Sequence, residues 1–148
     1  MSSGESALKT PQAPAWAIYG GWGVVWLALM LTFSLPSLAP LLMATILVNL
    51  IVFLVLNHGQ ISAFPVQVRL AFVLFTAIGL WVPGCASMLY LPAVGILARL
   101  FFGYCLLARM VWLLPWNRGE PLSAGLILRT FLSAPTTGQF GAGKHVQR

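Results

Sequence analysis

Two arginines inside an otherwise apolar run are the residues best suited to chemistry in this chain. Arg99 and Arg109 both fall within the run of residues 93–115. In a bilayer, a central arginine costs about 2.5–3.5 kcal/mol on an insertion scale, and less where its side chain can reach the interface. Arg109 lies nearer the end of the run and is expected to reach the interface, whereas Arg99 is expected to need a buried partner.

An acidic residue of the same segment cannot be that partner. The chain has no Asp or Glu between residues 6 and 119. The candidate acceptors for Arg99 are Asn49, backbone carbonyls released by Pro83, a lipid phosphate, or a carboxylate on another protein. Two interpretations of the arginines stay open: snorkelling or internal hydrogen bonding, and an anion path or intersubunit contact.

Cysteine and histidine offer few further sites. Cys105 is a candidate thiol site, but a disulfide to Cys85 is not expected, because Cys105 lies about 20 Å along a helix beginning near Pro92. His58 could ligate a haem or chlorophyll, with an ordinary loop residue as the alternative. Clustered metal ligands, a Ser/His/Asp set, a phosphate loop and a carboxylate pair are all absent from the sequence. We therefore predict a non-enzymatic protein without catalytic residues, metal or resident cofactor, His58 being the one cofactor alternative.

Small and polar residues of the first two apolar runs predict helix packing. Thr45 and Asn49 are one helical turn apart in the second run, and such residues join membrane helices through hydrogen bonds. Ala17 and Gly21 give the first run a face of small residues that allows a close approach of backbones. Helix packing or partner contact is predicted for these four residues and for the two arginines.

The composition indicates whether water or membrane lipid surrounds these residues. Apolar residues make up 59% of the chain and charged residues 7%, against about 25% charged in soluble domains, and the mean hydropathy is +0.92. The formal charge of +6 does not indicate a nucleic-acid partner, because the basic residues flank or interrupt apolar runs and form no solvated face. The sequence predicts a protein embedded in membrane lipid.

Four apolar runs predict an all-α membrane protein of four transmembrane helices in two hairpins. The predicted spans are residues 15–34, 37–57, 66–84 and 93–115, within a transmembrane domain of residues 15–116. Residues 1–14 are predicted to form a disordered tail. Residues 117–148 are predicted to form a second tail that contains an interfacial helix at about residues 121–133.

The positions of the basic residues predict the orientation. The basic residues outside the fourth run lie in both tails and in the connector after the second span, while the other two connectors are uncharged. The basic residues used are Lys9, Arg69, Arg118, Arg129, Lys144 and Arg148. An even number of spans brings these basic segments to one side, which the positive-inside rule assigns to the cytoplasm. Both termini are therefore predicted to be cytoplasmic.

A short motif in the fourth run resembles a known family. Gly103, Tyr104 and Cys105, followed by Leu107 and Arg109, are similar to the Gly-aromatic-Cys-Pro-Leu signature of small bacterial inner-membrane proteins of unknown function, some fused to rhodanese domains. The resemblance covers about 25 residues around the motif, with Leu in place of the family's Pro and without its terminal Cys. It implies a bacterial inner-membrane location and sulfur transfer through Cys105.

Two classes of function follow as hypotheses. The first is a non-enzymatic accessory or structural subunit that packs against a larger membrane complex or a second copy. The second is an oligomeric transporter of a small solute or anion, with Arg99 and Cys105 lining its path. A membrane subunit that binds a cofactor through His58 is the third alternative.

Overall fold

The computed structural model describes residues 14–117 and 120–134 of the 148-residue chain. These ranges contain α-helices and two short 3₁₀ helices, Pro36–Leu38 and Ala86–Leu89, and no strand. The six α-helices are α1 (Ala15–Ser34), α2 (Ala39–Leu56), α3 (Phe64–Trp81), α4 (Tyr90–Phe102), α5 (Leu106–Trp112) and α6 (Ala124–Leu132). The predicted all-α fold class is confirmed.

Three of these helical segments are long and apolar enough to cross a membrane. They are α1, α3, and α2 together with the 3₁₀ helix before it. The fourth segment passes the same test only as the pair of Ala86–Phe102 and Leu106–Trp112, which is bent by 99°. The described part of the chain therefore has three candidate spans, or four if the bent pair counts as one. A multi-pass membrane protein is the class that this fold supports.

The predicted fourth span is wrong as a single helix of residues 93–115. Helix α4 has 13 residues and a length of about 20 Å, which is shorter than the hydrocarbon core of about 30 Å. Gly103, Tyr104 and Cys105 are not helical, and α5 then continues in a new direction for seven residues. The backbone break lies at the motif that carries the family resemblance.

Prolines lie where the second and third segments begin. Pro36 starts the 3₁₀ helix between α1 and α2, Pro40 lies in the first turn of α2, and Pro65 lies in the first turn of α3. Proline is tolerated there because the first amides of a helix have no intrahelical acceptor. The third helix ends at Trp81, two residues before Pro83 and earlier than the predicted residue 84.

The core lies between α1, α2, α3 and the bent pair α4 and α5. Helix α1 packs against α2 and α4, and α3 packs against α2 and α5. Trp22 contacts Phe72 edge to face, with ring centroids 5.2 Å apart. Val25 and Leu29 of α1 are also fully buried, so one face of α1 runs through the centre of the bundle.

Contacts at the two ends of the bundle relate its connectors. Phe33 stacks on Tyr90 at 5.0 Å, which brings the two uncharged connectors to the same end. At the opposite end, Gln67 Oε1 accepts hydrogen bonds from Asn117 Nδ2 at 2.6 Å and from Trp116 Nε1 at 3.2 Å. The start of α3 and the chain after α5 therefore share the other end.

The side that faces the cytoplasm stays a prediction. The predicted disordered tail falls almost entirely outside the described residues, as do the last 14 residues of the chain. Four of the basic residues used for the orientation lie outside the described residues: Lys9, Arg118, Lys144 and Arg148. The predicted C-terminal helix is present as α6, which begins after Ser123 and is shorter at both ends than residues 121–133.

Candidate functional site

Arg69 joins α3 to α2 inside the bundle. Its side chain is buried, with 5% of the residue exposed. The Nε group donates a hydrogen bond to Asn49 Oδ1 at 2.7 Å, and Nη1 donates to the carbonyl oxygen of Pro65 at 2.9 Å. Asn49 therefore supplies the acceptor that the sequence suggested for Arg99, but to a different arginine.

Two aromatic rings complete the surroundings of this guanidinium. Its central carbon lies 3.1 Å from the ring centroid of Phe53 on α2 and 5.2 Å from that of Trp22 on α1. A cation above an aromatic face is stabilised by the ring quadrupole, and more strongly when water is absent. We refer to Arg69, Asn49, Gly21, Trp22 and Phe53 as the Arg69 cluster; it connects α1, α2 and α3.

Gly21 provides the space for Asn49. A Cβ atom at Gly21 would lie 2.8 Å from Asn49 Nδ2, which is too close for an undisturbed contact. Ala17 is buried one turn earlier on α1. Thr45 does not extend this contact, because its hydroxyl donates to the Leu41 carbonyl oxygen of its own helix at 2.9 Å. The close approach of α1 and α2 is thus centred on Gly21 and Asn49.

The break after α4 is built by Gly103 and Cys105. Gly103 has φ +68°, in the left-handed region that favours glycine at the end of a helix. Its amide donates to the carbonyl oxygen of Arg99 at 3.1 Å. Cys105 Sγ then accepts a hydrogen bond from the Ala108 amide at 3.4 Å and caps the start of α5. Both cysteines are free thiols.

The structure reverses the expected environments of the two arginines of the fourth run. Arg109 was expected to snorkel, yet it is 2% exposed, whereas Arg99 was expected to be the more buried and is half-buried. The Nη1 group of Arg99 donates to the Gly103 carbonyl oxygen at 3.2 Å and so stays near the end of its own helix. The bend after α4 causes the reversal, because it turns α5 and Arg109 into the protein.

Arg109 binds the carboxyl end of α6. Its guanidinium donates to the carbonyl oxygen of Thr130, to the hydroxyl and carbonyl oxygens of Ser133, and to the carbonyl oxygen of Ala134. The last carbonyls of a helix have no intrahelical donor and carry the negative end of its dipole, so a cation is favoured there. This arrangement ties a helix of the C-terminal region to the fourth membrane segment.

Tyr104 supports the same contact. Its ring centroid lies 4.1 Å from the guanidinium carbon of Arg109, and its hydroxyl donates to the carbonyl oxygen of Phe131 at 2.8 Å. We call Arg109, Tyr104 and the acceptor residues Thr130, Ser133 and Ala134 the Arg109 cluster. Tyr104 thus has a structural contact in addition to its place in the motif of the break.

A cavity lies between α1, α3 and the bent fourth segment. Its volume is about 200 Å³, and its lining is apolar except at Arg99 and Cys105. The lining residues are Trp22, Phe72, Phe75, Leu91, Pro92, Gly95, Ile96, Arg99, Cys105, Leu106, Leu107 and Met110. The structure therefore brings together the two residues that the sequence proposed for a transport path.

His58 lies apart from both clusters and from this cavity. It is exposed in the connector after α2 and has φ +54°, a left-handed conformation. Among the residues that the structure describes, no group of three His, Cys, Asp or Glu side chains could hold a metal ion. A cofactor role for His58 stays a prediction from the sequence.

Sequence reasoning missed Arg69 as a site residue, because it was assigned to the charged connector. Its distance from the start of the third helix is the signal that could have identified it. With Pro65 in the first turn of α3, Arg69 lies more than one turn inside the helix, and Asn49 is more than one turn from the adjacent end of α2. Polar residues at similar depth in neighbouring antiparallel helices are candidates for a hydrogen-bonded pair.

Comparison with known proteins gives no family to this chain. No family, curated protein or solved structure matches its sequence or its fold. The resemblance of Gly103, Tyr104 and Cys105 to small inner-membrane proteins stays a prediction.

The Arg69 cluster predicts a coupling between Gly21 and Asn49. Gly21→Ala should destabilise the protein by about 1–3 kcal/mol, because the new methyl group displaces an amide already bonded to Arg69. In an Asn49→Ala background the same change should cost less than about 0.5 kcal/mol. Reversible unfolding in mixed micelles measures both values.

Gly20→Ala is the matched control, since nothing lies within 4 Å of a Cβ atom at that position. It should leave stability unchanged or raise it by up to about 1 kcal/mol, as removal of a helical glycine does. Equal effects of Gly21→Ala with and without Asn49 would contradict the proposed contact.

The Arg109 cluster predicts that α6 depends on one side chain. Arg109→Gln should cost about 2–4 kcal/mol, because it removes a buried charged donor from several carbonyls at the end of α6, and amide hydrogen exchange in α6 should rise sharply. Arg129→Gln is the control: Arg129 belongs to α6 but pairs with Glu120 in an exposed contact worth below about 1 kcal/mol. Similar exchange of α6 in the two variants would rule out the assigned role of Arg109.

Proposed function

We propose that this protein is a non-enzymatic accessory or structural subunit that packs against a larger membrane complex. The observation that carries the proposal is that two arginines in its membrane helices bind other elements of the same chain. Arg69 binds Asn49 and Arg109 binds the end of α6, so both serve contacts between elements of the chain itself. The described residues offer no metal-binding group, and the chain has no acidic residue between positions 6 and 119.

Helix α2 offers the surface for such a partner. It buries a narrow stripe of Leu42, Ile46 and Phe53 inside the protein. Large apolar side chains cover the rest of the helix and are exposed: Leu41, Leu47, Val48, Ile51, Val52, Val55 and Leu56. In a bilayer, association of helices is driven by van der Waals packing and interhelical hydrogen bonds. This outer face of α2 is the proposed contact surface with a protein of the larger complex.

The proposal predicts position-specific crosslinking along α2. A photoreactive side chain at Val48, which is 60% exposed, should crosslink to a different protein in native membranes, and that protein should co-purify after mild detergent extraction. The same probe at Ile46, which is 2% exposed, should give only contacts within the chain and serves as the control. Purification as a stable monomer or homo-oligomer without crosslinked partner would argue against an accessory role.

An oligomeric transporter of a small solute or anion is the second candidate. The observation in its favour is that Arg99 and Cys105 line one cavity next to a broken helix. Interrupted membrane helices are typical of transporters, where irregular backbone lines a binding cavity. Several copies would have to enclose the path, because the cavity of one chain measures only about 200 Å³.

This candidate predicts flux that depends on Arg99. Liposomes with the purified protein should take up a small anion, and Arg99→Ala should reduce uptake by at least about tenfold, because a pore-lining charge sets anion selectivity. Arg129→Ala is the control, because that arginine is exposed outside the cavity and paired with Glu120. Unchanged uptake in Arg99→Ala, or no uptake by the native protein, would exclude this mechanism.

A further inference from the structure

The cavity is elongated along α4. Leu91 lines it near the start of α4 and Arg99 lines it near the end, eight residues or about 12 Å further along the helix. Arg99 and Cys105 thus lie at one end of the cavity, and apolar side chains line the remaining length. This shape fits an extended apolar chain that ends in a polar group.

The cavity opens towards the lipid. Leu91, Leu106 and Met110 line it and are also exposed on the outer surface of the bundle. Gly95 lies between these positions, and a Cβ atom there would have nothing within 4 Å. A hydrocarbon chain can therefore reach the cavity sideways from the bilayer, without passage through water.

The charge at the Arg99 end of the cavity selects the polar group. Arg99 is the charged side chain in the lining, which contains no acidic side chain. An anion at this end would be attracted by Arg99, strongly so because the surroundings are apolar.

The position of Arg99 matches a lipid headgroup. Helix α4 starts beside Phe33 at one end of the bundle and runs towards the end where Gln67 contacts Trp116 and Asn117. Arg99 lies in the last turn of α4, so its long side chain can extend towards the headgroups of that leaflet. A phosphate at this level and an acyl chain towards Leu91 would follow the direction of lipids in the leaflet.

We infer that the cavity binds one anionic phospholipid of the surrounding bilayer. One acyl chain occupies the apolar length between α1, α3 and α4, and the phosphate lies at Arg99. The inference rests on the cavity named for the transport candidate, but it requires binding only and no flux. A lipid bound there would also fill the space beside the bend between α4 and α5.

Native mass spectrometry of the detergent-purified full chain tests this inference. With equal amounts of phosphatidylglycerol and phosphatidylethanolamine, the protein should retain one phosphatidylglycerol with about a fivefold preference, as expected for one basic residue near a headgroup. Arg99→Gln should remove the preference and Arg99→Lys should keep it. Arg129→Gln removes the same charge from the exposed pair with Glu120 and should have no effect.

A second pair of variants tests the apolar part of the cavity. Gly95→Leu places a side chain in the cavity and should lower retention of both lipids, while Gly20→Leu, on an exposed face of α1, should not. Equal retention of the two lipids by the native protein, or an unchanged preference in Arg99→Gln, would overturn the inference. Displacement of the lipid by inorganic phosphate alone would also overturn it, because the site would then recognise a free anion.

The binding and transport experiments separate the two proposals. Binding is measured without an ion gradient. Lipid retention that depends on Arg99, together with an absence of anion uptake, would remove the transport candidate and support the lipid site. Anion uptake without any lipid preference would remove the lipid site and support the transport candidate.

Discussion

A guanidinium in hydrocarbon keeps its charge and needs oxygen acceptors close by. This protein has no carboxylate in its membrane region, so amide and carbonyl oxygens must accept the hydrogen bonds of the guanidinium groups. Arg69 obtains Asn49 from the neighbouring helix, and Arg109 obtains the last carbonyls of α6. Each of these two arginines thus joins two elements of the chain, α3 to α2 and α5 to the end of α6.

The second constraint is the break between α4 and α5. A continuous fourth helix would place Arg99 and Arg109 about 15 Å apart along one axis, with their side chains in the same medium. Gly103 in a left-handed conformation ends α4, and Cys105 starts α5 in a different direction. Arg109 is thereby directed towards α6 and Arg99 towards the cavity. One change of backbone direction gives two similar residues different roles.

The Arg69 cluster and the cavity share a wall. Trp22 contacts the Arg69 guanidinium and also lines the cavity, and it packs edge to face on Phe72. A substitution at Trp22 would therefore alter both sites. The proposed lipid site and the contact between α1, α2 and α3 have this side chain in common.

The sequence by itself determined that the protein is all-α and that prolines separate the first two spans. These features follow from hydropathy and proline geometry, which act within a segment. Of the four spans that the sequence predicted, three are single helices able to cross a membrane and the fourth is broken. Only the tertiary structure decided that Arg69 belongs to the core, that Asn49 is its acceptor, and that Arg109 is more buried than Arg99. Those results depend on which helices meet, at what depth and in what direction after Gly103, and hydropathy along one chain contains no information about such distances.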